Sequence, residues 1–364
     1  MRLAAIGISL YFLGLQACSR PVQEIDKLQQ LVDSLYLAHP ESRGLLVHVE
    51  SPRNQLNWGG FKSHDSSKLT ATSPLLIASI TKLFTSAATM AWLESKDLSI
   101  HTPIHDFLSS ERDSQMRAAG YNTALITFGH LLSCTAGIAD YVETSRFQER
   151  TVKEPGYHWT RNEQIDLAFS TQKLGEPGDL YAHGDINFLL LGELLEQQCG
   201  KPFYTAIRDL LQLDKHGLDN VYFNQLERRE NQEQLVQQFA SSYHADSYSQ
   251  DASFDLYGGG GIRCNLEDLA HFTRLVYQGK LFKNAQTLTL YTSDVYLNSG
   301  EVSPYGYGQM RWFSEQDSAY GHGGFWGTMV QYFPADSTTI AVSVLDRDAW
   351  KLNLELIEHI RKAY

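Results

Sequence analysis

The sequence predicts an α/β protein: an antiparallel sheet flanked by helices from the N- and C-terminal segments, with a helical subdomain inserted into it. Three observations carry this. β patterns stand near both ends, at Gly44–Glu50 and Gln55–Phe61, then at Gly308–Phe313, Ser318–His322, Gly327–Phe333 and Thr338–Leu345. Between them, over about residues 100–260, the apolar spacing is mostly helical. Amphipathic helices lie outside both strand groups, one with Ile25, Leu28, Leu31, Val32 and Leu35 on one stripe, the other at Leu352–Tyr364. Strands so far apart share one sheet only if the chain between them leaves it and returns.

The first element is a leader. Met1–Ala17 has Arg2 as a short positive region, then an apolar run, Leu3–Leu15, too short to span a bilayer. Leu15-Gln16-Ala17-Cys18 resembles the bacterial lipobox, which makes Cys18 the expected lipidation site and first mature residue. A lipid anchor places the protein in the cell envelope, facing the periplasm or the exterior, and multiple acyl chains hold it there stably. Residues 18–41 then form a spacer and first helix, and 42–364 the main domain. Of the remaining cysteines, Cys134, Cys199 and Cys264, at most one pair can form, and their spacing matches no zinc pattern. A net charge of −12 and the lack of any basic run argue against a nucleic-acid or anionic-membrane binder.

Ser51-Pro52-Arg53-Asn54 is the turn of a first β-hairpin. Next comes Pro74–Ser95, whose apolar residues Ile80, Leu83, Phe84, Ala87, Ala88, Ala91 and Trp92 predict a helix buried along one face. Ser79-Ile80-Thr81-Lys82 opens it. Ser79 stands at the helix N-terminus, where unpaired N–H groups favour developing negative charge, and Lys82 is one turn on, on the same face. A desolvated lysine can take the serine's proton. Further helices are expected at Thr127–Cys134, Asn162–Ser170, Asp185–Gln198, Phe203–Leu213 and from an Asn265 cap to Tyr277. Pro103 breaks helical spacing between His101 and His105, which makes that stretch a capped turn rather than a metal site. Asn224–Ser253 is expected as a surface excursion. Gly258–Gly261 lacks the residues of a phosphate loop and is expected as a flexible turn.

The stretches IASITKLFTSAA, FGHLLSCTAGIADY, PGDLYAHGDINFLLLGELLE, GGGGIRCNLEDLAHF, YGYGQ and GHGGFWGTMVQYFP make the chain from about Gly44 onward resemble the β-lactamase-related serine hydrolase superfamily. That superfamily includes class C β-lactamases, D-alanyl-D-alanine carboxypeptidases and related esterases. The resemblance implies a DD-peptidase/β-lactamase-like fold, no cofactor, and an amide, ester or lactam substrate attacked through an acyl-enzyme. It makes Ser79 the nucleophile and Lys82 its activator. It also assigns His322-Gly323-Gly324 to the third signature, on a substrate-lining strand, and the Phe325 N–H to an oxyanion hole shared with Ser79. The second signature departs. Counting from Pro177-Gly178 and back from Asn187 puts the family's tyrosine position on His183, so the trio is His183-Gly184-Asp185, with Tyr181 two residues early. The family's His-Thr-Ser-Gly also stands altered, as Cys134-Thr135-Ala136-Gly137.

An imidazole suits the acid/base role, because its ordinary pKa of about 6.5 is nearer working pH than tyrosine's. Three readings stay open at this level. His183 acts in the tyrosine's place, with Asp185 on the substrate side. Alternatively, the altered motifs mark a catalytically impaired protein whose cleft binds a cell-wall or peptide ligand. In the third, His183, Asp185 and His322 hold a metal. Composition and motifs leave the oligomeric state and the particular substrate undetermined.

Overall fold

The computed structural model describes residues 9–53, 55–64, 69–228, 233–313 and 317–363, with side chains from Glu24 onward. The start of the leader and the side chain of Cys18 lie outside the described residues, as does Asn54 of the hairpin turn. The helices are α1 (Ser9–Ala38), α2 (Thr81–Ser95), α3 (Ser110–Ala118), α4 (Phe128–Leu132), α5 (Ser145–Lys153), α6 (Arg161–Phe169), α7 (Asp185–Cys199), α8 (Phe203–Leu211), α9 (Leu266–Tyr277), α10 (Ala285–Tyr291) and α11 (Lys351–Ala363). The strands are β1 (Gly44–Ser51), β2 (Leu56–Ser63), β3 (Leu75–Leu76), β4 (Tyr222–Phe223), β5 (Phe239–Ala240), β6 (Ala245–Asp246), β7 (Ile262–Cys264), β8 (Met310–Phe313), β9 (Ser318–Gly323), β10 (Thr328–Phe333) and β11 (Thr338–Val344).

The main sheet is antiparallel, in the order β2-β1-β11-β10-β9-β8. The first and last thirds of the chain therefore meet at its centre, where Leu45 faces Val344 and Val49 faces Ile340. Side chains alternate across a strand. Leu45, Val47 and Val49, with Ile340, Val342 and Val344, turn to α1 and α11, which bury Leu28, Val32, Leu356 and Ile360 against them. Each such burial stabilises the fold by roughly 1.5–3 kcal/mol. Leu46, Val330 and Ala341 join the second core with α2, α7 and α9. The antiparallel sheet, its flanking helices and the inserted helices are those the sequence predicts.

Three elements differ from expectation. The first helix already runs through the expected polar spacer from the first described residue, in keeping with the low cost of extending a helix docked by its later turns. Helix α2 is buried nearly all round rather than on one face. Its polar residues are satisfied inside: Thr85 donates to the Gly258 carbonyl at 2.8 Å, and Ser86 meets the Tyr291 hydroxyl at 3.0 Å. The segment expected as a surface excursion is stapled to the core by buried Gln238, whose carboxamide bonds the N–H of Leu76 at 2.8 Å and the carbonyl of Trp326 at 3.2 Å. Among the described residues, no helix is long and apolar enough to cross a membrane.

Candidate active site

Ser79 lies on a 3-10 turn, Ala78–Ile80, that runs into α2. Ala78 just before it holds φ at +44°, a left-handed conformation that a β-carbon disfavours. Such strain persists where the surroundings over-determine it. Here the end of β9 presses on the turn: a Cβ on Gly324 would stand 2.2 Å from the Ile77 carbonyl oxygen, so only glycine permits the contact. The outcome is visible in exposure. From Ser73 to Met90, Ser79 alone is not buried.

One turn on, Lys82 is fully buried. Its Nζ donates to Ser79 Oγ at 2.9 Å and to the Gly259 carbonyl at 3.0 Å, and it pairs with Asp185 Oδ1. A neutral amine has two hydrogens, so the ammonium form is the one that serves all three acceptors. Burial alone would raise the Asp185 titration, but Lys82, and after it His183, outweigh burial and hold it below the ordinary carboxylate range. Asp185, expected on the substrate side, thus faces Lys82. Gly258–Gly261 is not a flexible turn. It is buried against α2 and α7, and a Cβ on Gly258 would stand 2.4 Å from the Phe188 carbonyl.

His183 is exposed at the mouth of the site. Its Nδ1 lies 3.5 Å from the Tyr181 hydroxyl, and its ring stands edge-on to Tyr305 at 6.4 Å. Desolvation by the surrounding walls, then the Lys82 ammonium, hold its imidazole below the ordinary range, while Asp185 pulls the other way.

His322 is placed differently from expectation. It is wholly buried: Nδ1 meets the Gly323 carbonyl at 2.6 Å, and Nε2 meets the Tyr305 hydroxyl at 2.9 Å. The carbonyl can only accept, so Nδ1 carries the hydrogen and Tyr305 donates to Nε2. Burial, then Lys82, push the His322 titration down to about 3. Its side chain is a sealed part of the wall and contacts no open cleft. The metal reading finds no support in this geometry, because both ring nitrogens of His322 and Asp185 Oδ1 are already engaged.

Gly323, Gly324 and Phe325 are partly exposed. Strand β8 pairs with β9 only as far as Gly321, which leaves the far end of β9 with an open edge. The turn after it is closed by Gly324 N–H to Thr328 O at 2.7 Å and Gly327 N–H to Gly324 O at 3.1 Å. Among the described residues the Phe325 N–H has no backbone acceptor. The Ser79 N–H opens its turn, where no intrahelical acceptor exists.

Four residues of the site were not singled out from the sequence. Tyr305 is buried beneath His183, its ring stacked on Tyr181 with centroids 5.5 Å apart. Gly259 supplies a carbonyl to Lys82. Asp140 and Asp255 are buried acids near Asp185; burial, then the Asp185 charge, push their titrations up to about 7 and about 8. Asp140, Gly259 and Tyr305 lay inside stretches already quoted, CTAGIADY, GGGG and YGYGQ, and Asp255 stands three residues before the glycines, but nothing in spacing distinguishes these residues from core. The three remaining cysteines are free; Cys134 and Cys264 are buried and Cys199 is partly so.

A serine heading a buried helix, its lysine one turn on, and an antiparallel sheet meeting a helical insert together define a class, the penicillin-recognising serine hydrolase fold. The chain belongs to the β-lactamase family, whose model matches residues 32–357. Among solved structures, the fold is shared with a D-amino acid amidase from Ochrobactrum anthropi SV3, at TM-score 0.74 and 16% identity over 93% of this chain and 100% of that one. It is also shared with a D-stereospecific amidohydrolase from Streptomyces sp., at TM-score 0.72 and 21% identity over 84% and 90%. An octameric penicillin-binding protein homologue from Pyrococcus abyssi matches at TM-score 0.71 and 18% identity over 92% and 77%. A curated relative, a probable fimbrial assembly protein FimD from Dichelobacter nodosus, is 25% identical over 68% of this chain. The chain spans 58% of that relative's length.

Proposed function

We propose that the protein is a serine hydrolase that forms an acyl-enzyme on Ser79 from an amide, ester or lactam. The observation that carries this is the partly exposed Ser79 hydroxyl, alone in a buried stretch and held at 2.9 Å by a buried lysine. In this reading the Lys82 ammonium does not remove the serine proton. It stabilises negative charge growing on Oγ as the proton leaves, with Asp185 as its fixed counter-charge. His183 is then the base, since its neutral imidazole stands at the mouth and its Nε2 has no protein partner among the described residues. The same imidazole returns the proton to the leaving group. The carbonyl oxygen is received by the N–H groups of Ser79 and Phe325, and the substrate lies along the open edge of β9 at Gly323-Gly324.

The substrate class stays broad, because fold alone does not choose among amide, ester and lactam. The amidases sharing the fold make amides of D-configured residues the first peptides to test. We also infer export and anchoring through a lipid on Cys18; a wild-type protein with an unmodified N-terminus, soluble after cell fractionation, would end that part of the reading. The test of the activity is intact-mass spectrometry after exposure to a fluorophosphonate and, separately, to a penicillin. A single adduct absent from Ser79→Ala is the expected result. No adduct from either reagent would favour a binding protein that has lost the chemistry.

A further inference from the structure

The turn carrying His183 and Asp185 is held from outside its own element. Helix α7 starts at Asp185, and its N-cap, Gly184, has no side chain with which to cap it. The first N–H groups of a helix need acceptors from elsewhere. Asp140, from the segment that follows α4, provides them: Oδ2 accepts the Asp185 N–H at 2.9 Å and Oδ1 the Ile186 N–H at 3.2 Å. Its side chain is buried and packs close against Gly184. The same segment grips the other side of His183, where the Cys134 carbonyl accepts the Ala182 N–H at 3.0 Å.

A neutral asparagine would not do this. It offers one acceptor oxygen, and its NH₂ would meet the second N–H donor to donor. The site therefore keeps a buried acid beside the like-charged Asp185, where electrostatics alone would disfavour it. Two N–H groups at a helix N-terminus offset part of that cost, while burial and the Asp185 charge still hold the Asp140 titration above the ordinary carboxylate range.

We propose that Asp140 is a positioning residue: by capping the first turn of α7 it sets the Asp185 carboxylate, and through Asp185 the placement of Lys82 on Ser79. This rests on the serine-hydrolase reading. The test follows fluorophosphonate labelling of the full chain against probe concentration, for wild type, Asp140→Asn, Asp185→Asn and the double variant, each at a temperature where circular dichroism shows it folded. Asp140→Asn is expected to lower the limiting acylation rate about tenfold or more, with the half-saturating concentration little changed. In the Asp185→Asn background the same substitution should cost less than about threefold, because its route of action is already gone. Equal costs in both backgrounds would make Asp140 a structural cap only and overturn the proposal, as would an unchanged rate in Asp140→Asn. If Asp140→Asn does not fold, Asp140→Ser keeps one acceptor and answers the same question. Failure of the wild type itself to label would instead remove the hydrolase reading, and the proposal with it.

Discussion

Two histidines stand at this site, and they differ in every respect that matters for chemistry. His322 is sealed, with each ring nitrogen committed, to Gly323 on one side and Tyr305 on the other. His183 is exposed, with one long contact of 3.5 Å to Tyr181. Both titrations are pushed down by loss of water and by Lys82. The same two causes thus produce opposite capabilities. A buried, doubly bonded imidazole is a structural tile, whereas an open one kept neutral near physiological pH is a base in waiting.

The largest effects should fall on the open histidine. His183→Ala is expected to reduce kcat on a p-nitrophenyl ester by about 10²- to 10⁴-fold, the usual worth of a positioned acid/base. For the wild type, kcat/KM should fall as pH drops through a value below about 6.5, because the base must be neutral. His183→Tyr restores the family's residue and should keep activity while moving that limb. Equal rates for wild type and His183→Ala across pH 5–9 would erase the contrast and pass the role to Tyr181 or Lys82.

The sealed histidine should show itself in stability. An unfolded chain protonates His322 near 6.5, while the folded one waits until about 3. Between those values the unfolded state binds the extra proton, so stability is lost as pH falls, by up to about 1.4 kcal/mol per pH unit. Asp140 and Asp255 act in the opposite sense. Their folded titrations near 7 and near 8 lie above the ordinary carboxylate value, so their contribution is lost as pH rises toward those values. The measurement is therefore a difference: urea unfolding of His322→Gln against wild type from pH 4 to 7, with the gap between the curves narrowing toward acid. A constant gap would mean that folding does not shift the His322 titration. Tyr305→Phe strips Nε2 of its donor and should cost about 1–3 kcal/mol at neutral pH. Unchanged stability in that variant would mean the Tyr305 contact carries no weight.

What the sequence showed of this contrast, and what it hid, follows from the range of the forces involved. The sheet, the helical insert and the Ser79–Lys82 pair were legible because apolar periodicity and a spacing of three along a helix are local properties. Assigning His183 to the tyrosine position needed only counting between two anchors. The role of His322 was not legible, since a histidine beside two glycines on a strand reads alike whether its ring faces substrate or Tyr305. The partner that decides, Tyr305, lies seventeen residues away in sequence. Asp185 misled for a related reason. It was placed with the substrate, but its charge is spent on Lys82, more than a hundred residues upstream. Gly258–Gly261 looked mobile because glycine permits mobility, yet here it serves close packing.

The smallest expected effect concerns Tyr181, and it bears on which nitrogen of His183 does the work. If the phenol accepts a hydrogen bond from Nδ1–H, the lone pair lies on Nε2. If it donates to Nδ1, Nε2 carries the hydrogen and cannot serve as base. At 3.5 Å the bond is weak in either direction. Burial pushes the Tyr181 hydroxyl above its ordinary range, so it stays a neutral phenol at working pH. Tyr181→Phe keeps the ring and its stacking on Tyr305 but removes the oxygen. With so long a contact, kcat should fall only about two- to fivefold, and KM should stay put. The ¹⁵N chemical shifts of His183 report the tautomer directly, and in wild type they should show the hydrogen on Nδ1. A hydrogen on Nε2 in wild type would reverse the assignment, and Tyr181→Phe would then raise activity by releasing the other tautomer.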